Sequence, residues 1–228
     1  MTAFIPGRRV HVIELLDAGI AADDDVAESL SDLRSINRFL GGRALLRTLL
    51  EEQVRRTGRP GFRLLDVGSG SGDLPDAVLE WFPAARAVAL DIHQRHLRLC
   101  GAGGAWRVCA DALRPPFAPG VFDFVTLSLF LHHFSDDAAA ALLRALAPLA
   151  RHALLVNDLD RRRLPYHFIR WTAPLFARSA VTRFDGPASV QRGFAAGELE
   201  AVAAAAGFHR FRARWHMPYR RSLVVQLD

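Results

Sequence analysis

The chain has 228 residues and a mass of 25.2 kDa, half of its residues are hydrophobic, and this is material for one α/β domain with elaborations and a real core. All 29 basic residues are arginine, which lifts the pI to 10.4 although the net charge is only +5; they are scattered apart from Arg161-Arg162-Arg163, so charge gives nucleic-acid binding little support. Cys100 and Cys109 make no zinc motif or disulfide framework and read as small buried filler in a reduced cytoplasm, polar residues interrupt any signal-peptide core near the start, and no stretch is clean enough to span a membrane.

In chain order, residues 10–17 are a short apolar and acidic stretch, and residues 21–33 have the composition of a helix. Ser35-Ile36-Asn37-Arg38-Phe39-Leu40-Gly41-Gly42 leads to a second helix over 43–56, with Leu45, Leu46, Leu49, Leu50 and Val54 near one face. Residues 58–61 hand over to Leu64-Leu65-Asp66-Val67-Gly68-Ser69-Gly70-Ser71-Gly72-Asp73-Leu74-Pro75, where a buried strand runs through a glycine turn into a helix. Gly68, Gly70 and Gly72 permit positive φ and close approach of backbone to a ligand, and the helix start offers free N–H groups to an electron-rich partner. The spacing is not that of a dinucleotide fingerprint, because Asp73 stands where its third glycine belongs; the Lys-Ser/Thr ending of a P-loop is also missing.

The helix continues to about residue 82, and Ala87-Val88-Ala89-Leu90 forms a second strand ending in Asp91, placed to accept hydrogen bonds from ribose hydroxyls. A helix with Leu97 and Leu99 follows, then a third strand over 106–109 and Asp111, whose carboxylate suits the exocyclic amine of adenine. Taken singly, each aspartate reads as a helix cap or turn residue; in order, at successive strand ends, they favour a nucleotide-like ligand. The fourth strand, 122–128, ends in Ser128 and runs into Leu129-Phe130-Leu131-His132-His133-Phe134, and Ser135 caps a helix reaching residue 149. The fifth strand, 153–156, ends in Asn157-Asp158. Over 161–197 regular alternation fails amid prolines, glycines and aromatics; a helix over 198–206 and two strands, 208–215 and 222–227, close the chain.

Together these motifs resemble the class I S-adenosylmethionine (SAM)-dependent methyltransferases over most of the chain, from about residue 62 onward. The resemblance implies a Rossmann-like α/β fold: a seven-stranded, mostly parallel sheet with its last strand antiparallel and helices on both faces. A helical cap over residues 1–60 would precede a core over 61–228 that carries a lid insertion at 161–197. It implies SAM as cofactor and S-adenosylhomocysteine (SAH) as product. Gly68, Gly70 and Gly72 would wrap the methionine end, with Asp66 orienting the turn or the amino group and Arg38 or Arg43 meeting the carboxylate. Asp91 would hold the ribose and Asp111 the adenine, and Ile92, Ala112 and Ser128 would also bind the cofactor.

The Asn/Asp-Pro-Pro-Tyr/Phe motif of amino-group methyltransferases is replaced by Ser128-Leu129-Phe130-Leu131, so nucleic acid is not an expected partner. The His-His pair looks instead like that of small-molecule enzymes of quinone and natural-product pathways. There a histidine after the fourth strand and an aspartate closing the fifth act together, which here means His132 or His133 with Asp158. A phenol is mostly neutral at cellular pH, so a histidine base oriented by a carboxylate would make its oxygen nucleophilic; against this, either histidine reads equally well as a packing residue. Tyr166, Phe168, Trp171 and Phe184 would sandwich a flat acceptor or form the lid's own core. The expectation is cytoplasmic O-methylation of a phenolic or polyketide-like metabolite, without a metal site or stable membrane insertion. Carbon methylation of a quinone-like ring is the alternative within the family, and a non-catalytic SAM-binding scaffold the alternative outside it.

Overall fold

Period-two burial along the strands sends apolar side chains to both faces of a sheet. β1 (Arg63–Val67) puts Leu64 on one face and Leu65 and Val67 on the other, and β5 (Ala150–Leu159) divides Ala153 and Leu155 from Leu154 and Val156. The computed structural model describes residues 9, 14–16, 22–99 and 103–228, so Cys100 and most of the 10–17 stretch lie outside the described residues. With β2 (Arg86–Asp91), β3 (Trp106–Cys109), β4 (Phe122–Ser128), β6 (Phe211–His216) and β7 (Arg220–Gln226), these strands form a seven-stranded sheet in the order β3-β2-β1-β4-β5-β7-β6. β1 to β5 are mutually parallel and β7 is antiparallel to both β5 and β6, as the resemblance implied.

Helices cover both faces. On one, α2 (Gly42–Thr57) and α3 (Asp73–Trp81) pack Leu46, Leu49, Leu50, Leu74 and Val78 against Leu64, Phe124, Leu155 and Val224. On the other, α5 (Asp136–Leu146) and α8 (Glu198–Ala205) pack Leu142, Leu143, Leu146, Leu199 and Val202 against Val125, Leu127, Val156 and Leu223. Each fully buried leucine of these layers contributes about 2 kcal/mol. A short α4 (Gln94–Arg98) follows β2.

α1 (Asp23–Phe39), α6 (Arg163–Phe176) and α7 (Ala180–Arg192) roof the C-terminal ends of the strands. Asp32 of α1 accepts from the Ser179 N–H at the start of α7, and Thr182 meets Ser29. Three sequence readings change here. α1 runs on through Ser35 to Phe39 without a break at residue 33. The 161–197 segment is two helices and not an irregular stretch. Pro165 falls in the first turn of α6, where its missing N–H costs nothing, and Pro174 and Pro187 each forgo one internal hydrogen bond that packing of α6 on α7 offsets. Cys109 is exposed, because β3 is the edge strand and its side chains stay largely open to solvent. Among the described residues no helix is long and apolar enough to cross a membrane.

Candidate active site

The glycine turn after β1 folds back onto the end of β2: the N–H groups of Gly68 and Ser69 donate to the Leu90 carbonyl at 2.9 and 3.0 Å, and that of Gly70 to Asp91 at 2.8 Å. This path needs φ of +67° at Gly68 and +53° at Gly70. A Cβ on Gly68 would fall 2.1 Å from the Phe130 ring, whereas one on Gly70 would meet only Leu30 at 3.6 Å, at the wall of a cavity of about 640 Å³. Gly72 does not reach that cavity; it is the left-handed cap that starts α3.

The strand-end acids follow the cavity wall. Asp91 is buried and takes hydrogen bonds from the Gly70 and His93 N–H groups, each at 2.8 Å. Burial raises its carboxyl, but the bonds from His96, His93 and Gly70 outweigh burial and hold it below the usual range. It stays ionised, with acceptor capacity left for a ribose. Asp111 accepts from the Leu113 N–H at 2.9 Å and lines the cavity with Ala112 and the exposed Ile92. Asp66 is almost wholly buried and accepts from Thr126 Oγ1 at 2.7 Å. Burial, with Asp73 and Asp91 adding to it, pushes Asp66 up to about 7. The Ser69 and Ser128 hydroxyls line the same cavity, buried and without hydrogen-bond partners. Open space above Gly70, orphan hydroxyls and a row of acids fit an adenosyl amino acid such as SAM.

Over β4 and β5 the chemistry centres on His132, in a 3-10 turn Leu131–His133. Its Nδ1 lies 2.7 Å from Asp158 Oδ1, and its backbone N–H donates to Asp158 Oδ2 at 3.1 Å, so one carboxylate fixes ring and backbone together. Its Nε2 is buried 3.5 Å from Glu14 Oε1. Burial pulls the imidazole down, but the Asp158 and Glu14 carboxylates outweigh it and hold His132 up at about 9. The two carboxylates thus favour the charged imidazolium of His132 over the free base. Glu14 also accepts from Ser189 Oγ at 2.9 Å and meets Arg192 at 3.3 Å, and Arg192 donates to the His133 carbonyl at 2.8 Å. Two clusters have donor atoms within 4.8 Å of one another, Glu14-His132-His133 and Asp91-His93-His96. In both, the carboxylate is already held by protein donors.

The structure thus brings Asp66, Gly68, Gly70, Asp91, Ile92, Asp111, Ala112, Ser128, His132 and His133 to one cavity, with Asp158 directly behind His132. Arg38 is not among them: it is exposed, with its guanidinium 5.5 Å from the ring of Phe39, and Arg43 pairs with Glu80. Helical periodicity decides among the expected acceptor aromatics. Pro165, Phe168 and Ile169 share the cavity face of α6, while Tyr166 is buried away from it and Trp171 is 72 % exposed on the outer face. Phe184 of α7 is exposed and also absent from the wall. Sequence reasoning missed Glu14, Asn37 and Arg220, which line the cavity from the chain's start, the end of α1 and the start of β7. Only Glu14, a lone acid between Val12-Ile13 and Leu15-Leu16, was marked by its apolar neighbours.

Residues 65–154 match a methyltransferase domain family. The chain is 34 % identical over 123 residues to the ubiquinone/menaquinone biosynthesis C-methyltransferase UbiE of Cereibacter sphaeroides, a match that covers 50 % of this chain and 48 % of the relative, so it spans about half the length of such curated relatives. Among solved structures, magnesium protoporphyrin IX methyltransferase (ChlM) from Synechocystis PCC 6803 with bound SAM superposes with a TM-score of 0.58 at 15 % identity, covering 92 % of this chain and 99 % of that one. The plantazolicin methyltransferase BamL, in complex with a triazolic desmethylPZN analog and SAH, gives 0.66 at 11 % identity, covering 90 % and 98 %. Sheet order, glycine turn, strand-end acids and the match over residues 65–154 agree: the chain carries a SAM-dependent methyltransferase domain.

Proposed function

We propose that this chain transfers the methyl group of SAM to a ring carbon of an apolar, hydroxylated acceptor of the quinol type. The observation that carries this reading is His132, locked by Asp158 at Nδ1 and held towards its charged form, with Nε2 in the cavity wall 3.5 Å from Glu14 Oε1. An imidazolium N–H aimed at an acceptor oxygen stabilises negative charge there and lowers that oxygen's own nucleophilicity. The acceptor binds as its oxyanion, whose charge delocalises into the ring; the carbon beside the C–O bond takes the methyl as the S–C bond breaks and SAH leaves, and the ring C–H proton passes to the neighbouring His133 imidazole as the ring regains aromaticity. SAM supplies the electrophilic methyl. The chain's part is to align the acceptor in line with it beneath an apolar roof of Leu33, Ile36, Leu40, Phe168, Ile169 and Val190, and to keep water out. The partial match to quinone C-methyltransferases supports the same acceptor class.

O-methylation of the same kind of ring is a second reading, favoured by His133, which shares the cavity wall and offers an imidazole next to the charged one. Incubation of 1,4-naphthoquinol with SAM carrying a ¹³C methyl, followed by NMR of the product, decides between them. Label on a ring carbon is the expected result, and label on oxygen would favour the second reading. Absence of transfer to any of a set of quinols and phenols, from a chain that binds SAM, would overturn both.

A further inference from the structure

Arg220, the first residue of β7, is 2 % exposed and is the bulkiest of the fully buried side chains among the described residues. Its Nε donates to the Leu40 carbonyl at 3.2 Å, while Nη1 is buried with no hydrogen-bond partner. Among the described residues no carboxylate comes within 4.0 Å of it. Asp158 is committed to His132, and Asp160 to Arg221, Arg162 and Trp215. A guanidinium held out of water is costly when the carboxylate that acts on it through space, Asp158, is already paired with His132. Arg220 lines the cavity. A Cβ built on Gly42 would lie 3.2 Å from its Nη2 and 2.7 Å from Asn37 Oδ1, and Asn37 reaches Asp73, the first residue of α3, at 3.4 Å. The guanidinium therefore sits where the α1–α2 junction meets the helix that follows the glycine turn.

We propose that Arg220 is the receptor for a carboxylate, or another anionic oxygen, bound inside the cavity. The planar fork of donors suits two-point binding of such a group and is already desolvated before the ligand arrives. Two sources carry this chemistry: the α-carboxylate of the cofactor, which Arg38 was expected to meet, and an ionised or carboxylated acceptor. The route through Asn37 to Asp73 favours the cofactor, and this part rests on the methyltransferase reading.

The test is calorimetry with two matched ligand pairs, SAH against decarboxylated SAH, and 1-naphthoate against 1-naphthamide in the presence of saturating SAH. Wild-type protein should prefer the carboxylated member of at least one pair by ~10-fold or more, and Arg220→Met should erase that preference while leaving the other member's affinity unchanged. Arg220→Lys, which keeps the charge and loses the fork, should retain part of it. Loss confined to the SAH pair assigns the subsite to the cofactor; loss confined to the naphthalene pair assigns it to the acceptor. Without ligand, Arg220→Met should melt no lower than wild type, because a buried charge with no carboxylate in direct contact has been removed. The proposal is overturned if wild type shows no preference within either pair, or if Arg220→Met weakens both members of a pair equally, as a purely structural role would. A chain that binds no form of SAH fails the methyltransferase reading instead, and the naphthalene pair, run without SAH, then decides Arg220 alone.

Discussion

Over β1, β2 and β3 the cavity wall is made from the last residues of each strand and the turn after it, whereas over β4 and β5 it is closed by side chains from distant parts of the chain. Gly68, Gly70, Asp91 and Asp111 are each placed by their own strand. His132 depends on Asp158 and Glu14, His133 on Arg192, and the last corner on Arg220. The first half is a local construction, to which the proposed function assigns the cofactor, and the second a long-range one, to which it assigns the acceptor. The two can therefore be broken separately.

The largest expected effect comes from the local half. Gly70→Val places a β-branched residue at φ +53° and directs its side chain into the cavity, so SAM affinity should fall by ~10²-fold or more with the sheet still folded. Retained binding, measured by calorimetry, would show that the cofactor does not approach this turn.

Next comes the long-range half. Asp158→Asn should cut methyl transfer by ~10²-fold with SAM affinity little changed, because the amide no longer holds the imidazolium. The same change should cost about 3 kcal/mol of stability, because the partner left behind is a buried charge. The pH dependence of stability has a definite sign. His132 is raised from an unfolded value of about 6.5 to about 9, so its contribution is complete below about pH 6.5 and is lost as pH rises through about 9. Asp158 is held below its ordinary value, so its contribution is present above about pH 4 and is lost in acid. Thermal melts of wild type and His132→Gln across this range should converge towards high pH; parallel curves would mean that the imidazole is neutral.

Asp66 predicts a smaller effect in the cofactor half. With its carboxyl near 7, binding of a cationic amino group favours ionisation, so SAM affinity should tighten as pH rises from about 6 to 8. Asp66→Asn should flatten that slope and weaken binding by ~10-fold at most. The smallest effect belongs to the roof. Trp171→Ala should change acceptor KM by less than ~2-fold, while Phe168→Ala should raise it several-fold, since only Phe168 shares the cavity face of α6. Equal effects would place the acceptor across the whole helix.

The same division explains what the amino-acid sequence showed and what it did not. Strand-turn-helix order from Leu64 to Pro75 and the acids at 91 and 111 are local patterns, and they located this wall of the cavity before any tertiary contact was known. The helices α6 and α7 were hidden because Pro174 and Pro187 stand inside them and mimic breaks, a local penalty that tertiary packing overrides. The charge on His132 was not legible for a related reason. A histidine's charge depends on the carboxylates facing it, and Glu14 is brought there by tertiary structure alone. Arg38 illustrates the opposite case: it is near the cavity in sequence, yet the turn of α1 points Asn37 inward and Arg38 outward.

The most direct test of the central claim is the pH dependence of single-turnover methyl transfer to the true acceptor, followed from pH 6 to 10. A charged His132 that steadies an acceptor oxygen predicts a rate that holds through neutrality and falls as pH rises through about 9, with the fall absent in a His132→Gln variant of low, flat activity. A wild-type rate that instead rises through an ordinary histidine value of about 6.5 and then stays level would contradict the account and restore His132 as a general base.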